Sequence, residues 1–322
     1  MGPSISSRLR GRFSRYAVVL AEADVACNQV TFFLEDVTFF FLEDVTLHRE
    51  IKASRVEDLC PANAYEFRVQ NGTSIDLRTS GSMLIAGKTT GVIALLLQAL
   101  LAGPDGHGSQ VLIIDPKQAE PSRLPRVVSL NADGDARAIL SALSRFADSI
   151  KERQSFLNDR STETGDAVHW WDAGLHVSLL FMDEYVALRT LFPKRASKED
   201  PDYCLATFDG LVKRIVTMGA SAGCYAIISI AEASVEEGGL PSMLRSACST
   251  RVLFKPTLPE ARLIWGAERL LDLGAPRTFS PGDAWFSSTD GAHDRIGFVH
   301  FPIMDFPVYR ELGRLLGLYF RE

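Results

Sequence analysis

Continuous apolar strands that alternate with helical patterns restrict the fold of this chain more than any other feature. Five such apolar runs occur, at residues 83–86, 111–115, 176–184, 224–231 and 250–255. Runs this continuous are typical of strands that are buried on both faces of a parallel sheet. The sequence therefore predicts the α/β class, with a mostly parallel sheet covered by helices on both faces.

The segments between these runs carry apolar residues at helical spacing. Helices are predicted at residues 89–103, 136–157 and 208–219, and the first and third of them end on a glycine, a common helix stop. In an open parallel sheet, ligands bind beyond the carboxyl ends of the strands. The polar residues that follow each apolar run are therefore the candidate functional residues.

The first seventy residues have a different pattern and predict a small β-rich segment. VTFFLED at 30–36 is followed at once by VTFFFLED at 37–44. Phe-rich and β-branched runs that end in acidic turns are typical of strands. The extra Phe in the second copy reverses the in-and-out alternation, so we expect one copy to bulge or to form a loop. The sequence thus predicts a β-rich segment with a basic start at 1–70 and a larger domain at 71–322.

Composition and charge exclude several classes of protein. The net charge of −6 gives no overall attraction to nucleic acid, so any such contact must come from a local patch. The arginines of SSRLRGRFSRY, residues 6–16, form one basic cluster, for which a solvated terminus is the simpler interpretation. Five cysteines without a CxxC pair favour neither a disulfide framework nor a zinc site and fit a reducing cytoplasm. We also expect no signal peptide and no membrane span.

The first strand–helix junction carries the residue types of a phosphate-binding P-loop. That loop reads G-x-x-x-x-G-K-[ST] between a strand and a helix, and its backbone N–H groups surround phosphate oxygens. Its lysine reaches the terminal phosphates and its hydroxyl holds Mg²⁺. The predicted nucleotide-binding residues are Gly87, Lys88, Thr89 and Thr90, with Thr89 also a predicted Mg²⁺ ligand.

The same junction is too short for a complete P-loop. If Gly87 is the second glycine of the motif, the first falls on Ser82; if Gly87 is the first, the second Gly-Lys-Thr falls on Val-Ile-Ala at 92–94. Use of Gly81 would force residues 83–86 out of their strand. Loss of the five-residue unit GKTGS from an ancestral GKTGSGKTT would leave the observed GKTT. We therefore expect a loop that cannot close around a phosphate in the usual way.

A second nucleotide-site element is the strand SLLFMDE, which ends in Asp183 and Glu184. This is a Walker B pattern, in which the Asp orients the Mg²⁺ shell and the Glu polarises the attacking water. A strand that simply ends in an acidic turn is the alternative. Asp183 and Glu184 are the predicted catalytic residues, and Asp183 is also a predicted metal ligand through bound nucleotide.

An ordered set of motifs covering about residues 74–290 resembles one known family. IAGK, IDPK, LLFMDE, AGCYAIISIA, CSTRVLFK and WGAERLL…GDAWF follow one another as in the motor domain of the FtsK/SpoIIIE DNA translocases, particularly the FtsK-like proteins of Gram-positive conjugative elements. The resemblance implies a RecA-like P-loop NTPase fold, ATP and Mg²⁺ at subunit interfaces, a homo-oligomeric ring such as a hexamer, and double-stranded DNA in its channel. Other transfer or partition proteins are further implied partners.

The resemblance also assigns roles to individual positions. By match, Lys88 and Thr89 are the Walker A residues and Asp183 and Glu184 the Walker B pair. The remaining matched positions are Asp115 and Lys117 of the IDPK signature and Arg251 of the strand that follows CST.

Departures from the family pattern leave the activity open. The family has Ala-Thr-Gln-Arg after its fourth strand, where this chain has Ser-Ile-Ala-Glu at 229–232, and the arginine of a GRAAG-like run is missing from 219–223. Both changes, with the short loop, indicate weak or absent hydrolysis. Three functions therefore stay open: an ATP-dependent motor for DNA transfer or partitioning, a catalytically impaired homologue that acts as a DNA- or protein-binding structural subunit, and a type IV secretion coupling ATPase.

Overall fold

The computed structural model describes residues 16–24, 29–36, 50–87, 90–230, 241–255, 257–267, 269 and 278–320. The chain divides into two compact units, an N-terminal unit at 1–50 and a larger unit at 51–322. In the N-terminal unit, β1 (Tyr16–Asp24) pairs antiparallel with β2 (Gln29–Asp36), which contains the first copy of the tandem repeat. The second copy, at 37–44, lies outside the described residues.

The larger unit is built on one eight-stranded sheet. Its strands are β6 (Met83–Ala86), β7 (Val111–Ile114), β8 (Val127–Val128), β9 (Ser178–Met182), β10 (Cys224–Ile230), β11 (Thr250–Phe254), β12 (Asp283–Ser288) and β13 (Gly297–His300). They lie in the order β13-β12-β11-β6-β10-β9-β7-β8. The pairs from β11 to β8 are parallel, and β12 and β13 are added antiparallel at one edge. The predicted mostly parallel sheet is confirmed.

Helices follow most of the parallel strands. They are α1 (Thr90–Ala102), α2 (Arg137–Thr164), α3 (Tyr185–Thr190), α4 (Leu205–Met218), α5 (Ser242–Ala247), α6 (Leu258–Trp265) and α7 (Val308–Tyr319). The helix predicted at 136–157 extends seven residues further than the apolar spacing indicates and ends at Gly165, which adopts the left-handed conformation of a C-cap. No helix of the described residues is long and apolar enough to cross a membrane.

The two faces of the sheet bury separate apolar cores. In β6, Met83 and Ile85 belong to one core and Leu84 and Ala86 to the other, because successive side chains of a strand point to opposite faces. Residues of α1 and α7 complete the first core, and residues of α2 and α4 complete the second. The prediction of helices on both faces is therefore confirmed.

Short strands attach the first residues of the larger unit to its end. β3 (Lys52–Ala53) pairs in parallel with β14 (Ile303–Met304), and β4 (Glu66–Gln70) forms a hairpin with β5 (Thr73–Asp76). Buried side chains of β3 and β4 belong to the same core as α1. Residues 51–70 thus pack with the larger unit, whereas the sequence places a boundary at 70/71; that a segment 1–70 forms its own domain stays a prediction.

Candidate functional site

The carboxyl ends of four parallel strands lie side by side at one end of the sheet, which we call the carboxyl edge. β10 lies between β6 and β9, and β7 lies beyond β9. The backbone N–H of Gly87, directly after β6, donates to the carbonyl of Ile230 at 3.1 Å, and the N–H of Asp183 donates to that of Ile114 at 2.9 Å. The predicted phosphate-loop glycine and the predicted Walker B aspartate therefore follow β6 and β9, the two strands on either side of β10, at the same end of the sheet.

The junction between β6 and α1 contains only residues 87–89. Gly87 has φ +94°, and a Cβ there would lie 2.7 Å from the carbonyl oxygen of Phe254. Lys88 and Thr89 lie outside the described residues, as does the side chain of Thr90. Residues 83–86 form the predicted strand, so the structure leaves three residues where a complete P-loop pattern requires eight.

A mostly apolar cavity lies beside the first turn of α1. Its volume is about 220 Å³, and its walls include Gly91 and the rings of Phe254 and Phe301. Two charged residues, Lys255 and Asp283, also line it. Gly91 is needed for close packing, since a Cβ there would lie 2.3 Å from the Phe254 ring. Sequence reasoning missed this cavity, because its walls come from segments far apart in the chain.

Asp183 is a buried carboxyl at the end of β9, with 8% of its surface exposed. Burial raises its pKa from 3.8 to about 6, and the charges of Glu184 and Asp115 act in the same direction. A hydrogen bond from the Ser229 hydroxyl opposes the rise only in part. Because this carboxyl is hard to ionise in the ligand-free chain, a bound cation would strongly stabilise its charged form.

Glu184 follows Asp183 and precedes α3 in an unusual backbone conformation. Its φ of 49° and ψ of 54° lie in the left-handed region, which is uncommon for a residue with a side chain. Its carboxylate oxygen Oε1 lies 2.6 Å from Nζ of Lys117. Outliers of this kind concentrate at functional sites, where the surrounding structure holds them in place.

Asp115 organises the turn after β7. Its buried carboxylate accepts the backbone N–H of Lys117 through Oδ1 at 3.0 Å and that of Ser122 through Oδ2 at 3.1 Å. This aspartate therefore acts through the loop, since it fixes the position from which the Lys117 side chain reaches Glu184. The IDPK signature thus contacts the predicted Walker B pair twice, through the carbonyl of Ile114 and through the side chain of Lys117.

Other predicted residues lie away from this edge or serve packing. Arg251 donates to the carbonyls of Arg245, at 2.6 Å, and Ile264, at 3.2 Å, and so holds α5 and α6 against β11. Ala220, where the family has arginine, precedes β10 and therefore lies at the opposite end of the sheet, where the parallel strands begin. Ala231 and Glu232, where the family has Gln-Arg, lie outside the described residues.

Two further runs of basic or aromatic residues make packing contacts. In the pair Lys213-Arg214 of α4, Arg214 donates to the carbonyl of Ala147 at 2.7 Å and so joins α4 to α2. In HWWD, residues 169–172, Trp170 is buried against Gly223, where a Cβ would lie 2.8 Å from the indole. Both sequences therefore serve packing within the larger unit.

The fold is that of P-loop ATPases. The structure of the pCW3 conjugation coupling protein TcpA, in its monomer form with ATPgS, matches at TM-score 0.60 and 13% identity, over 98% of this chain and 84% of that one. EssC (ATPases 2 and 3) from Geobacillus thermodenitrificans matches at TM-score 0.53 and 17% identity, over 84% of this chain and 51% of that one.

A sequence relative narrows this class. The FtsK domain-containing protein YdcQ of Bacillus subtilis (strain 168) is 29% identical over 147 residues, which are 45% of this chain and 28% of YdcQ. The aligned part thus spans less than a third of that relative. No family model matches the chain. The YdcQ match and the fold shared with TcpA support the resemblance of this chain to FtsK/SpoIIIE domains.

Proposed function

We propose that this chain is an ATP-binding motor of the FtsK/SpoIIIE type, which acts on double-stranded DNA as a ring of identical subunits. The observation that carries the proposal is the pair Asp183–Glu184 at the end of β9, two strand positions from β6, which leads into α1. A helix N-terminus favours phosphate groups, and a buried carboxylate two strand positions away suits the cation that accompanies them.

The donor set fits Mg²⁺ bound through a nucleotide. The Asp183 carboxylate and the Ser229 hydroxyl are oxygen donors, the type that Mg²⁺ prefers. Among the described residues, no group of three or more His, Cys, Asp or Glu side chains forms a metal site of its own, so phosphate oxygens and water would complete the shell. Thr89 is the proposed hydroxyl ligand. When bound, the cation would neutralise charge that develops on the transferred phosphoryl group.

The proposed reaction needs only positioning and one base. Glu184 would orient a water molecule and take its proton as the water oxygen bonds to the terminal phosphorus and the bond to the ADP oxygen breaks. Lys88 would contact the terminal phosphates. The cavity beside Gly91 would receive the nucleoside, since the rings of Phe254 and Phe301 offer the apolar walls that a base requires.

The three-residue junction after β6 favours a second candidate function. A loop of this length presents fewer backbone N–H groups to phosphate than a complete P-loop does. A chain that binds nucleotide poorly would act as a DNA- or protein-binding subunit. The fold shared with the coupling protein TcpA is equally compatible with a coupling ATPase for DNA transfer.

Nucleotide titration separates these functions. The purified chain is titrated with a fluorescent ATP analogue and Mg²⁺, beside Lys88→Ala and a loop-restored variant in which the five residues GKTGS are inserted before Gly87. If the unchanged chain binds the nucleotide and Lys88→Ala abolishes this binding, the result would support the motor. Binding by the loop-restored variant alone would overturn ATP-dependent activity for this chain and support the subunit role.

Assembly and DNA contact require their own measurement. Sedimentation of the chain with ATP, Mg²⁺ and a DNA duplex is expected to show a DNA-bound oligomer, and ATP hydrolysis is expected to rise when the duplex is added. If the chain stays monomeric and does not bind the duplex in any nucleotide state, the result would contradict the proposed ring on DNA.

A further inference from the structure

Lys117 makes the direct ionic contact to the predicted catalytic glutamate. Its Nζ lies 2.6 Å from Oε1 of Glu184, whose side chain is 16% exposed, while the lysine side chain is 50% exposed. A partly exposed ion pair of this kind is weak, so a stronger anion can replace the glutamate. Neither the family resemblance nor the comparisons give Lys117 a role.

The turn after β7 holds Lys117 where it can reach more than one partner. The Asp115 carboxylate fixes the backbone N–H of Lys117, and Gln118 next in sequence has φ 54°, in the left-handed region. The four-carbon stem of lysine is flexible, so Nζ can move while the backbone stays in place. The contact with Glu184 shows that the ammonium already reaches the end of β9.

The position of that ammonium suits the far end of a phosphate chain. β9 lies two strand spacings from β6, a distance of about 10 Å. A triphosphate that begins at the N-terminus of α1 extends across this gap towards β9. Its terminal group would meet an acidic edge, where Asp115, Asp183 and Glu184 are gathered. A phosphate there needs a cation beside it, and the structure places the basic side chain of Lys117 on one of these acids, Glu184.

We infer that Lys117 is a contact residue for the terminal phosphate, and that Glu184 holds it until a nucleoside triphosphate binds. Phosphate carries more charge than a carboxylate and forms stronger charge-assisted hydrogen bonds with an ammonium. The lysine therefore moves to the phosphate, and the freed Glu184 carboxylate becomes available to orient water. A diphosphate does not reach the end of β9 and leaves the ion pair intact. The inference rests on the proposed nucleotide binding.

Comparison of triphosphate and diphosphate affinities tests the inference. The full chain, Lys117→Met, Glu184→Gln and the double variant are titrated with ADP and with a non-hydrolysable ATP analogue, both with Mg²⁺. Lys117→Met is expected to weaken the triphosphate about 10-fold and to leave ADP unchanged. Glu184→Gln is expected to strengthen the triphosphate by about 2- to 5-fold, because the competing carboxylate is gone. The double variant should behave as Lys117→Met does.

Controls separate a phosphate contact from a structural effect. Lys151→Met makes the same change on an exposed position of α2 and should alter neither affinity. Equal weakening of ADP and triphosphate by Lys117→Met, or no change in either, would overturn the inference while the proposed function stands. An unaltered triphosphate affinity in Glu184→Gln would overturn the holding role of Glu184. Failure of the unchanged chain to bind either nucleotide would overturn both proposals.

Discussion

At the scale of single residues, the candidate site depends on positions that tolerate few side chains. Gly87 combines φ +94° with a backbone carbonyl where its Cβ would lie, and Glu184 keeps a left-handed conformation despite its side chain. Asp183 stays buried although burial disfavours its charge. Glu184 and Asp183 cost stability in the ligand-free chain, whereas Gly87 avoids strain and a clash, so substitutions at these positions should change stability in predictable directions.

Gly87→Ala should destabilise the larger unit by about 2–3 kcal/mol. Positive φ costs a residue with a Cβ about 1–2 kcal/mol, and the 2.7 Å approach to the Phe254 carbonyl adds a clash with backbone. Gly103→Ala is the matched control, because Gly103 has φ +75° with nothing within 4 Å of its Cβ. Urea unfolding should show the larger loss for Gly87→Ala; equal losses would contradict the close approach.

Asp183→Asn should stabilise the ligand-free protein at pH 7.5 by about 1–3 kcal/mol. The folded chain binds this proton more tightly than the unfolded chain, because the pKa rises from 3.8 to about 6. The wild-type protein therefore loses stability as pH rises from 3.8 to about 6, and the penalty is complete above that window. Below pH 3.8 the advantage of the variant should disappear.

This expectation is checked by measuring the free energy of unfolding of wild type and of Asp183→Asn at pH 4 and at pH 7.5. Both measurements are made without divalent cation. Asp159→Asn on the exposed face of α2 serves as control. Mg²⁺ with nucleotide should reverse the order at pH 7.5, since a cation that binds only the folded carboxylate stabilises the wild-type chain. A variant that is less stable at both pH values would show that the buried carboxylate is satisfied by other means.

At the scale of elements, a buried ion pair fixes the long helix α2 to the sheet. Arg153 of α2 lies 2.9 Å from Asp105 and donates to the carbonyls of Ala222, at 2.7 Å, and His176, at 2.6 Å. Burial alone would raise the pKa of Asp105, but backbone N–H groups of His176 and His107 and the Arg153 charge outweigh it and lower that pKa. This pair joins the segments before β7, β9 and β10 at the edge opposite the candidate site.

Arg153→Met should destabilise the larger unit by about 3–5 kcal/mol, because Asp105 is left buried and charged. Arg160→Met, which breaks the exposed pair with Glu163, should cost less than about 1 kcal/mol. In wild type, the contribution of Asp105 is present above pH 3.8 and is lost as pH falls through its lower folded pKa. Chemical denaturation of both variants at neutral pH measures the difference; similar losses would contradict a buried, coupled pair.

At the scale of the whole molecule, residues that directly follow the N-terminal unit complete the core of the larger one. The backbone N–H of Ile303 donates to the carbonyl of Ile51 at 2.9 Å, and that of Asp305 donates to the carbonyl of Ala53 at 2.8 Å. Ile51, Ala53, Val56 and Leu59 are buried in the core that α1 and α7 share. A chain that begins at residue 51 keeps β3, whereas a chain that begins at residue 61 lacks it.

A chain of residues 51–322 should therefore keep the thermal midpoint of the larger unit within about 4 °C, the shift expected for 1 kcal/mol at this size. A chain of residues 61–322 loses four buried apolar side chains and should unfold at least 10 °C lower, given about 1.5–3 kcal/mol for each large one. Differential scanning calorimetry compares the two. Equal midpoints would show that β3 contributes little.

Much of the sheet could be predicted because its signals are local. Continuous apolar runs mark the strands β6, β7, β9, β10 and β11, and helical spacing marks α1, α2 and α4. The strands β12 and β13 were missed: WF and FV are short apolar patches amid polar residues, and antiparallel addition at an edge leaves no clear period. The end of α2 was missed because its last turns are polar.

The sequence by itself determined that buried parallel strands end in Gly-Lys-Thr, Asp-Pro-Lys and Asp-Glu. These signals are local, because the apolar run of a strand and the polar residues that end it are neighbours in the chain. Only the tertiary structure decided which of these ends meet. The order β6-β10-β9-β7 places Lys117 on Glu184 and Ser229 beside Asp183, and it turns Arg251 towards packing instead of chemistry. Strand order depends on long-range pairing energies summed over the sheet, which no local pattern records.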